Sequence, residues 1–376
     1  MRILQFVPYF IPYPGGQERY VYCLSKYLVK NGHEVWVITS NFPKSRRLEV
    51  VDGIVVERYA ILARPLRNPI APGFLSAVRK FKEFDVVHVH NEHSFPSLIA
   101  AYAKRRDGFP LVLTNHGRLV FGDPLRDSIE RIYMKYLGKL IFESCDAIVV
   151  NSEADRELVR EVAPRAYGRS YVIHNAVDPE LLEATAREVK AVKEGEFKIL
   201  YVGALIRRKG LEWLIKAMDL VRREVRGVKC IIVGEGGDEG LFKRLTVKYG
   251  LTEVVRFAGR VSDKELIRLY KSSDLFVLPS LSEGCPTSVL EAMYFGLPVV
   301  LTSIPAHIEH FRNVALLVKP KDERSLALGM IELLSNENLR RKLSKEGSEL
   351  VRKEYTWDKV AKKYMEVYER VINSTK

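Results

Sequence analysis

Short runs of apolar, β-branched residues alternate with longer amphipathic segments, and this alternation occurs twice along the chain. It predicts strands at 2–7, 34–39, 85–90, 111–114, 146–150 and 171–173, and again at 198–202, 229–233, 254–257, 275–278, 298–301 and 315–318. The second series is separated by predicted helices at 210–225, 239–249, 263–272 and 287–295. A strand–helix–strand alternation favours parallel sheets covered on both faces. We therefore expect an α/β fold with two doubly wound domains.

The domain boundaries follow from the gap between the two series. The chain has 376 residues, enough for two domains. Residues 179–196 lack a strand signal and are rich in Glu, Lys and Ala, so we interpret them as a linker between a domain at 1–178 and one at 197–354. Ligands of open α/β sheets bind at the carboxyl ends of the strands, where we expect a cleft.

Composition restricts the class of protein and leaves its partner open. The chain is 47% hydrophobic and 28% charged, as in a globular protein, and its formal net charge is +13. That charge favours an anionic partner, which could be a nucleic acid, a membrane surface, a nucleotide or a phosphorylated substrate. The excess of Lys and Arg is densest in the first 140 residues.

Cysteine spacing and hydropathy predict a cytoplasmic protein. The four cysteines lie far apart without a Cys-x-x-Cys pair, which argues against a zinc or disulfide framework. The N-terminus looks like a strand rather than a signal peptide, and no apolar run approaches the ~18 residues of a membrane helix. We expect any membrane contact, at the inner face, to be peripheral.

Two further patterns resemble known sites without matching them. Glycines at 234, 236 and 237 follow a strand, but their spacing differs from the dinucleotide fingerprint, which disfavours a Rossmann dehydrogenase. The pattern His88-x-His90-x-x-His93 could ligate a metal, since strand alternation puts His88 and His90 on one face. We interpret these histidines as polar residues at the exposed end of a strand, and His307 and His310 as loop residues, so we expect no metal site.

Other catalytic signatures are missing from the sequence. It contains no Asp-x-Asp motif of metal-anchored nucleotide-sugar sites. It also contains no Gly-x-Ser-x-Gly elbow and no P-loop, which weakens hydrolase and nucleoside triphosphatase interpretations.

One loop combines an anion site with two carboxylates. The predicted strand 275–278 leads into a turn at Gly284, and a helix begins near Thr287, so the backbone N–H groups of 285–288 would form an anion site at a helix N-terminus. Glu283 and Glu291 are eight residues apart and can face one ligand. The alternative is a solvated loop followed by an exposed helical Glu.

A second loop supplies positive charge. Arg207-Arg208-Lys209-Gly210 follows the strand 198–202 and opens the next helix, a geometry suited to phosphate. A basic helix cap on a solvated face is the alternative. Two anion sites in one domain together indicate a diphosphate.

These motifs resemble those of the retaining glycosyltransferases of family 4, which have the GT-B fold, two Rossmann-like domains facing a central cleft. The resemblance covers nearly the whole chain: Tyr13-Pro14-Gly15-Gly16-Gln17-Glu18, Gly32-His33-Glu34-Val35, Asp85-Val86-Val87-His88, His116, Val172-Ile173-His174-Asn175, Gly203-(x5)-Lys209-Gly210, Glu283-Gly284 and Glu291-Ala292-Met293-(x2)-Gly296-Leu297-Pro298-Val299-Val300. It implies a hexosyltransferase whose substrates are a nucleotide-diphosphosugar, held mainly by the second domain, and an acceptor on the first. It also implies that the C-terminal helix, 355–376, crosses back to the first domain.

The resemblance assigns roles residue by residue. Arg208 and Lys209 match the pair that neutralises the diphosphate, Glu291 the carboxylate on the ribose and Glu283 the one near the donor sugar. The expected donor-binding set is Gly15, Gly16, Arg208, Lys209, Glu283, Gly284, Cys285, Pro286, Thr287, Ser288 and Glu291. The expected catalytic set is His116, Glu283, Arg208 and Lys209. No cofactor or metal is implied, and retention would come from attack on the face that the nucleotide leaves.

The sequence departs from the family pattern at a few positions. Ala204 stands where the family often has Arg, and Ala176, Ala306 and Ala315 stand at frequent glycine positions. These changes concern the sugar and the acceptor more than the fold.

Two segments of the first domain bear on the acceptor. Residues 74–84 combine an apolar stripe with a basic face, as an interfacial helix would. Arg131, Lys135 and Lys139 form a basic stripe on a helix predicted at 125–142. Both patterns fit ordinary packing and solvation, or an acceptor that is lipid-linked or anionic.

Other functions remain open from sequence alone. A sugar-nucleotide epimerase or a sugar phosphorylase of the same fold would share the donor motifs. A basic nucleic-acid-binding protein would share the charge, but no aromatic and basic module of that kind is present. We favour transfer of a hexose from a UDP- or GDP-sugar to a hydroxyl of a soluble sugar or a lipid-linked glycan.

Overall fold

The computed structural model describes residues 1–117, 124–190 and 195–375. They form two compact units, the first containing 1–117, 124–175 and 357–375 and the second containing 176–190 and 195–356. Each unit has its own sheet with helices on both faces.

The sheet of the first unit has eight strands in the order β3-β4-β2-β1-β5-β6-β7-β8. The strands are β1 Arg2–Phe6, β2 Glu34–Ser40, β3 Leu48–Val51, β4 Ile54–Tyr59, β5 Val86–His90, β6 Leu111–Thr114, β7 Ala147–Val150 and β8 Ser170–Val172. All neighbours are parallel except β3 and β4, which form an antiparallel edge pair. Asp52 and Gly53, both with positive φ, make the two-residue turn between these two strands.

Among the described residues, six α-helices precede the point where the chain leaves this unit. They are α1 Gly16–Lys30, α2 Gly73–Ala77, α3 Phe95–Asp107, α4 Pro124–Tyr133, α5 Lys139–Ser144 and α6 Glu153–Val162. A π-helical turn, Met134–Gly138, joins α4 to α5. Fully buried residues of the sheet and helices, such as Phe6, Phe74 and Phe142, form one core.

The second unit has a parallel six-stranded sheet in the order β11-β10-β9-β12-β13-β14. Its helices and strands are α7 Pro179–Arg187, β9 Lys198–Val202, α8 Leu211–Glu224, β10 Lys229–Val233, α9 Glu239–Lys248, β11 Val255–Gly259, α10 Asp263–Ser272, β12 Leu275–Leu278, α11 Thr287–Tyr294, β13 Val299–Thr302, α12 Pro305–Phe311, β14 Leu316–Val318, α13 Glu323–Ser335 and α14 Glu337–Glu354. Every strand predicted from the sequence is present in one of the two sheets within two residues at either end, so the expected α/β fold is confirmed.

The segment 179–196, expected to be a linker, begins with a helix that packs into the second unit. Residues Pro179–Arg187 form α7, which is part of the second unit and buries Leu182. The Asp178 side chain caps this helix by accepting a hydrogen bond from the Leu181 N–H at 3.2 Å. Residues 191–194 lie outside the described part of the chain. Linkers and amphipathic helices can share a composition rich in Glu and Ala, which explains the error.

The last helix, α15 Trp357–Thr375, returns to the first unit. It buries residues three and four apart, among them Trp357, Tyr364 and Tyr368, and it contacts α1, β5 and β6. The helix begins at Trp357 rather than at 355, because Tyr355 accepts a backbone hydrogen bond from Val177 within the second unit.

Strand order places two loops of the second unit side by side. β9 pairs with β10 on one side and with β12 on the other. The chain fills one half of the sheet through β11 and then crosses to begin the other half with β12. The loops that follow β9 and β12 therefore start at neighbouring strand ends and lead to opposite halves of the sheet. Open α/β sheets bind ligands at this point of reversal.

Gly210 allows these two loops to approach each other. It lies between the turn Arg207–Lys209 and α8, with φ at +68°. A Cβ atom at this position would lie 1.9 Å from the Pro279 carbonyl oxygen, just beyond β12. Both the backbone conformation and the contact therefore require glycine.

We expect Gly210→Ala to destabilise the protein more than Gly250→Ala, a matched substitution that introduces backbone strain without a steric clash. Gly250 has a similar φ of +62°, with no atom within 4 Å of the Cβ position, so Gly250→Ala isolates the strain. Urea unfolding should show a loss of about 1 kcal/mol for Gly250→Ala and at least about 3 kcal/mol for Gly210→Ala. Equal losses would contradict the close approach of the two loops.

Candidate active site

The loops after β9 and β12 are joined through Arg208. Its Nη1 donates a hydrogen bond to the Ser282 carbonyl oxygen at 2.9 Å, and its own carbonyl accepts one from the Leu281 N–H at 2.8 Å. Within the described residues, the guanidinium makes this one side-chain hydrogen bond, although Arg carries five N–H donors. Arg208 thus fixes the crossing of the loops and retains donors for a ligand.

A buried ion pair lies at the same crossing. Lys209 Nζ donates to Glu283 Oε1 at 2.6 Å, and the side chains are only 16% and 7% exposed. Ser280 Oγ donates to the same oxygen at 2.6 Å. Burial by itself raises the pKa of Glu283, but the charges of Lys209 and Arg208 and the two hydrogen bonds hold it below its ordinary value. Glu283 is therefore an ionised carboxylate at neutral pH, facing two cations.

The helix after this loop carries the second carboxylate. α11 begins at Thr287, its N-cap is Pro286, and no side chain caps it. Glu291, one turn further along, is 6% exposed and accepts a hydrogen bond from Tyr270 Oη at 3.1 Å. The loop and the helix therefore do not match the alternative of a solvated segment with an exposed Glu.

The glycines after β10 have a packing role. A Cβ at Gly234 would lie 2.0 Å from the Gly203 carbonyl oxygen, and one at Gly236 would lie 2.3 Å from that of Leu205. The Leu205 N–H donates to the Glu235 carbonyl at 3.0 Å, so the loops after β9 and β10 touch through their backbones. This contact accounts for the glycines without a dinucleotide.

Gly15 and Gly16, in the first unit, differ in their surroundings. Gly15 is the N-cap of α1, and a Cβ there would lie 2.0 Å from Glu18 Oε2, whereas nothing lies within 4 Å of a Cβ on Gly16. Burial raises the pKa of Glu18 to about 7. The space beside Gly15 is thus occupied by a carboxyl that is half protonated near neutral pH, and the space beside Gly16 is open.

His116 follows β6 in the first unit and is partly buried. Its Nε2 lies 3.0 Å from His90 Nδ1, and the two rings stack at 17° with centroids 5.3 Å apart. Burial lowers the pKa of His116 to about 4, against the opposing effect of the Glu92 carboxylate, so the ring is neutral at physiological pH.

Four histidines expected at exposed or loop positions are buried. His88 and His90 are 0% exposed and hydrogen-bonded, because their strand, β5, lies inside the sheet and beneath α15. His307 and His310 belong to α12, where His307 Nδ1–H donates to the Thr302 carbonyl oxygen at 2.9 Å. No group of three or more His, Cys, Asp or Glu side chains in the described ranges is arranged to hold a metal ion.

The structure divides the predicted residues between the units. Residues Arg208, Lys209 and Glu283 meet at one crossing in the second unit, which also contains Gly284, Cys285, Pro286, Thr287, Ser288 and Glu291. His116, Gly15 and Gly16 belong to the first unit. Sequence reasoning missed Ser280 and Tyr270, which bind the two carboxylates, because a hydroxyl at such positions carries no motif.

We expect Lys209→Met to destabilise the fold, because it leaves the Glu283 carboxylate buried beside Arg208 alone. The loss should be about 3 kcal/mol, and Glu283→Gln in the same chain should recover part of it. The matched control is Arg223→Met, which breaks a pair of the same length, 2.6 Å to Asp219, with Arg223 65% exposed. Urea unfolding should show a change within about 0.5 kcal/mol for that control. If Lys209→Met and Arg223→Met lower the free energy of unfolding equally, Lys209 and Glu283 are not a coupled buried pair. The same follows if Glu283→Gln restores no stability to Lys209→Met.

Comparison with known proteins places the chain in a family. The sequence model of the Glycosyltransferase Family 4 matches residues 14–181, and that of the Glycosyl transferases group 1 matches residues 183–350. An uncharacterized glycosyltransferase of Methanocaldococcus jannaschii is 30% identical, with 94% of each chain covered. A phosphatidyl-myo-inositol mannosyltransferase of Mycobacterium leprae is 30% identical over 100% of this chain and 98% of its own.

Solved structures support the fold. Sucrose-phosphate synthase from Thermosynechococcus elongatus superposes with a TM-score of 0.78 at 22% identity, covering 99% of both chains. HepE of Anabaena in complex with UDP-glucose superposes with a TM-score of 0.79 at 19% identity, covering 98% of this chain and 100% of its own. The chain therefore belongs to the family 4 glycosyltransferases with the GT-B fold, and it is a glycosyltransferase.

Proposed function

We propose that the enzyme transfers a hexose from a nucleotide-diphosphosugar to a hydroxyl acceptor with retention of anomeric configuration. The observation that carries this proposal is the crossing of Arg208 and Lys209 with Glu283 at the switch point of the second sheet. Two cations and one carboxylate leave a net positive charge beside the start of α11. An anionic ligand is the partner that such an arrangement favours.

The diphosphate would bind between Arg208, Lys209 and the first turn of α11. Negative charge grows on the diphosphate as the bond from the sugar C1 to the phosphate oxygen breaks. Cations fixed in advance stabilise this charge more than that of the intact donor, which lowers the barrier. The hydrogen bonds of Arg208 and Lys209 to the other loop hold both cations in place before the donor arrives.

The two carboxylates would bind the rest of the donor. Glu291 would accept hydrogen bonds from the ribose hydroxyls, with Tyr270 holding its second oxygen. Glu283, ionised and held by Lys209 and Ser280, would accept hydrogen bonds from hydroxyls of the sugar. No residue is assigned as a covalent nucleophile. The acceptor oxygen would bond to C1 on the face that the diphosphate leaves, while the acceptor proton passes to the departing diphosphate.

The first unit would supply the acceptor side and part of the sugar site. His116 would lie beside the donor sugar and acceptor, and the open space at Gly16 would admit a phosphate or sugar. We propose a UDP- or GDP-sugar as donor. A relative named as a mannosyltransferase and a structural neighbour solved with UDP-glucose support a hexose donor of this kind.

In a panel of UDP-, GDP- and ADP-sugars, we expect one donor to raise the melting temperature of the protein. The same donor should release its nucleoside diphosphate when an acceptor is added. Glu291→Ala should weaken nucleotide binding about 10- to 100-fold, since it removes charged hydrogen bonds worth about 1.5 to 3 kcal/mol. Isothermal titration calorimetry measures this affinity, and the exposed Glu349→Ala serves as the control.

The same panel separates the competing functions. Interconversion of the nucleotide-sugar without an acceptor would identify an epimerase, and turnover that requires inorganic phosphate would identify a phosphorylase. Binding to duplex nucleic acid with a steep salt dependence and no affinity for any donor would refute the proposed transfer from a nucleotide-diphosphosugar.

A peripheral contact with an anionic membrane is a further part of the proposal, and α4 supports it. Leu125, Ile129 and Ile132, with Tyr136 in the next turn, form an apolar ridge whose residues are 58–72% exposed. The exposed Arg131, Lys135 and Lys139 run along one side of this ridge. Apolar exposure beside a basic stripe is typical of a helix at a lipid surface. No helix in the described ranges is long and apolar enough to cross a membrane.

Residues 74–84 do not provide the second interfacial helix. Phe74, Val78 and Phe81 are buried in the core of the first unit, and Leu75 is the exposed large apolar residue of this segment. The apolar stripe that the sequence shows there is explained by packing.

We expect vesicles containing phosphatidylglycerol to bind the protein at low salt, and salt to weaken the binding. Ile129→Asp combined with Ile132→Asp should lower vesicle binding about tenfold, because both side chains belong to the exposed ridge. Leu328→Asp, at an equally exposed site on α13, is the control and should leave binding unchanged. A sedimentation assay that finds no binding at low salt would refute the membrane contact.

A further inference from the structure

A continuous row of buried polar side chains lies behind His116 in the first unit. Its members come from β1, α1, β5, β6 and α15, elements that otherwise bury mainly apolar side chains. His88, His90 and Gln5 are each 0% exposed. Buried polar groups are costly unless they are hydrogen-bonded, so the partners of each member fix where its hydrogens lie.

The first two hydrogen bonds determine the direction of the row. Gln5 Oε1, which can only accept, lies 2.9 Å from His90 Nε2, so His90 carries its proton on Nε2. A neutral imidazole has one N–H, which leaves His90 Nδ1 as an acceptor. His116 Nε2 lies 3.0 Å from that atom and must therefore be the donor.

The remaining bonds agree with this direction. The Gln5 amide donates through Nε2 to Tyr368 Oη in a long bond of 3.5 Å. The Tyr368 hydroxyl, with its proton free to point onward, donates to His88 Nδ1 at 2.7 Å. His88 Nε2–H then donates to Thr114 Oγ1 at 2.8 Å. Each group accepts from one neighbour and donates to the next.

The last member of the row, Tyr20, lies beside the His116 ring at which the row began. Thr114 Oγ1–H donates to Tyr364 Oη at 2.9 Å, and the Tyr364 hydroxyl donates to Tyr20 Oη at 2.6 Å. The Tyr20 ring packs edge-on against His116 with centroids 4.9 Å apart. His116 is thus held by a hydrogen bond from one side and by an aromatic ring from another.

All three histidines of the row are neutral. Burial lowers the pKa of His88 to about 3 and that of His116 to about 4, and it holds the pKa of His90 well below its ordinary value. A neutral ring has one N–H donor and one acceptor nitrogen, so the bond at one nitrogen fixes whether the other nitrogen donates or accepts.

We propose that His90 is a positioning residue that holds His116 as its Nε2–H tautomer, with the Nδ1 lone pair left for a substrate. Within the described residues His116 Nδ1 makes no hydrogen bond. Presented in this way, His116 accepts a hydrogen bond from a sugar or acceptor hydroxyl and repels an anionic oxygen at the same place. This role rests on the proposed function, which places His116 beside the donor sugar and acceptor.

The tautomer can be measured in the resting enzyme. Protein labelled with ¹⁵N-histidine gives long-range ¹H–¹⁵N spectra in which a protonated and an unprotonated ring nitrogen have well-separated shifts. The signals of His116 are those that His116→Gln removes. We expect Nε2 protonated and Nδ1 unprotonated in the wild-type enzyme. The opposite pattern, or a doubly protonated ring at neutral pH, would overturn the proposal whether or not any variant folds.

Kinetics test whether His90 acts through His116. His90→Leu removes the acceptor and should lower kcat at least tenfold with donor KM within twofold, and His116 should become a mixture of tautomers. His90→Asn, whose amide oxygen can stand in for Nδ1, should restore part of kcat and the Nε2–H tautomer. His33→Leu, immediately before β2 and therefore at the amino ends of the parallel strands, away from the carboxyl end where His90 lies, is the control and should change neither.

The outcomes distinguish the two proposals. An unchanged kcat and tautomer in His90→Leu would overturn the positioning role. Transfer activity together with the reversed wild-type tautomer would also overturn it, and the proposed function would stand. A protein that binds no nucleotide-sugar refutes the proposed function, while the tautomer assignment is still decided by the spectrum.

Discussion

The Lys209 ammonium and the Glu283 carboxylate join two loops that begin on neighbouring strands and then diverge. Their contact is short and largely buried, so the carboxylate depends on the cation for its stability. The pair can form because β9 and β12 are adjacent in the sheet, and because Gly210 allows the backbone of one loop to reach the carbonyl of Pro279 on the other. The positions of Arg208, Lys209 and Glu283 in the proposed donor site depend on this crossing.

The crossing also explains how a site for a highly charged ligand can exist before the ligand binds. Arg208 and Lys209 would repel each other if they lacked a partner, and Glu283 would be unfavourable if it were buried alone. Together with the Ser280 and Ser282 contacts, they form a set in which each charge is held and one positive charge is in excess. Such preorganisation is what stabilisation of a leaving diphosphate requires.

The sequence predicted the strands well because parallel strands buried on both faces appear as runs of Val, Ile and Leu. It missed β3 and β4, although Asp52-Gly53 carries a hairpin signal, since the edge strand Leu48–Val51 is only four residues long and exposes Leu48 and Val50. It interpreted α7 as a linker, and it placed His88 and His90 at an exposed strand end, because only the return of α15 from the far end of the chain covers them.

The residues of the candidate site were predictable from motifs that follow strands, but their contacts were not. Lys209 and Glu283 are 74 residues apart, and their pairing depends on the strand order of the sheet. Likewise, no pattern in the sequence indicates that His90 points its Nδ1 at His116. Positions follow from local propensities, whereas pairings follow from topology.

A crystal structure with the tightest-binding nucleoside diphosphate would show whether the crossing of the two loops binds the donor. We expect the β-phosphate within hydrogen-bond distance of Lys209 Nζ, Arg208 and the first turn of α11, with the ribose hydroxyls on Glu291. A nucleotide bound elsewhere, or a diphosphate with neither cation in contact, would contradict it.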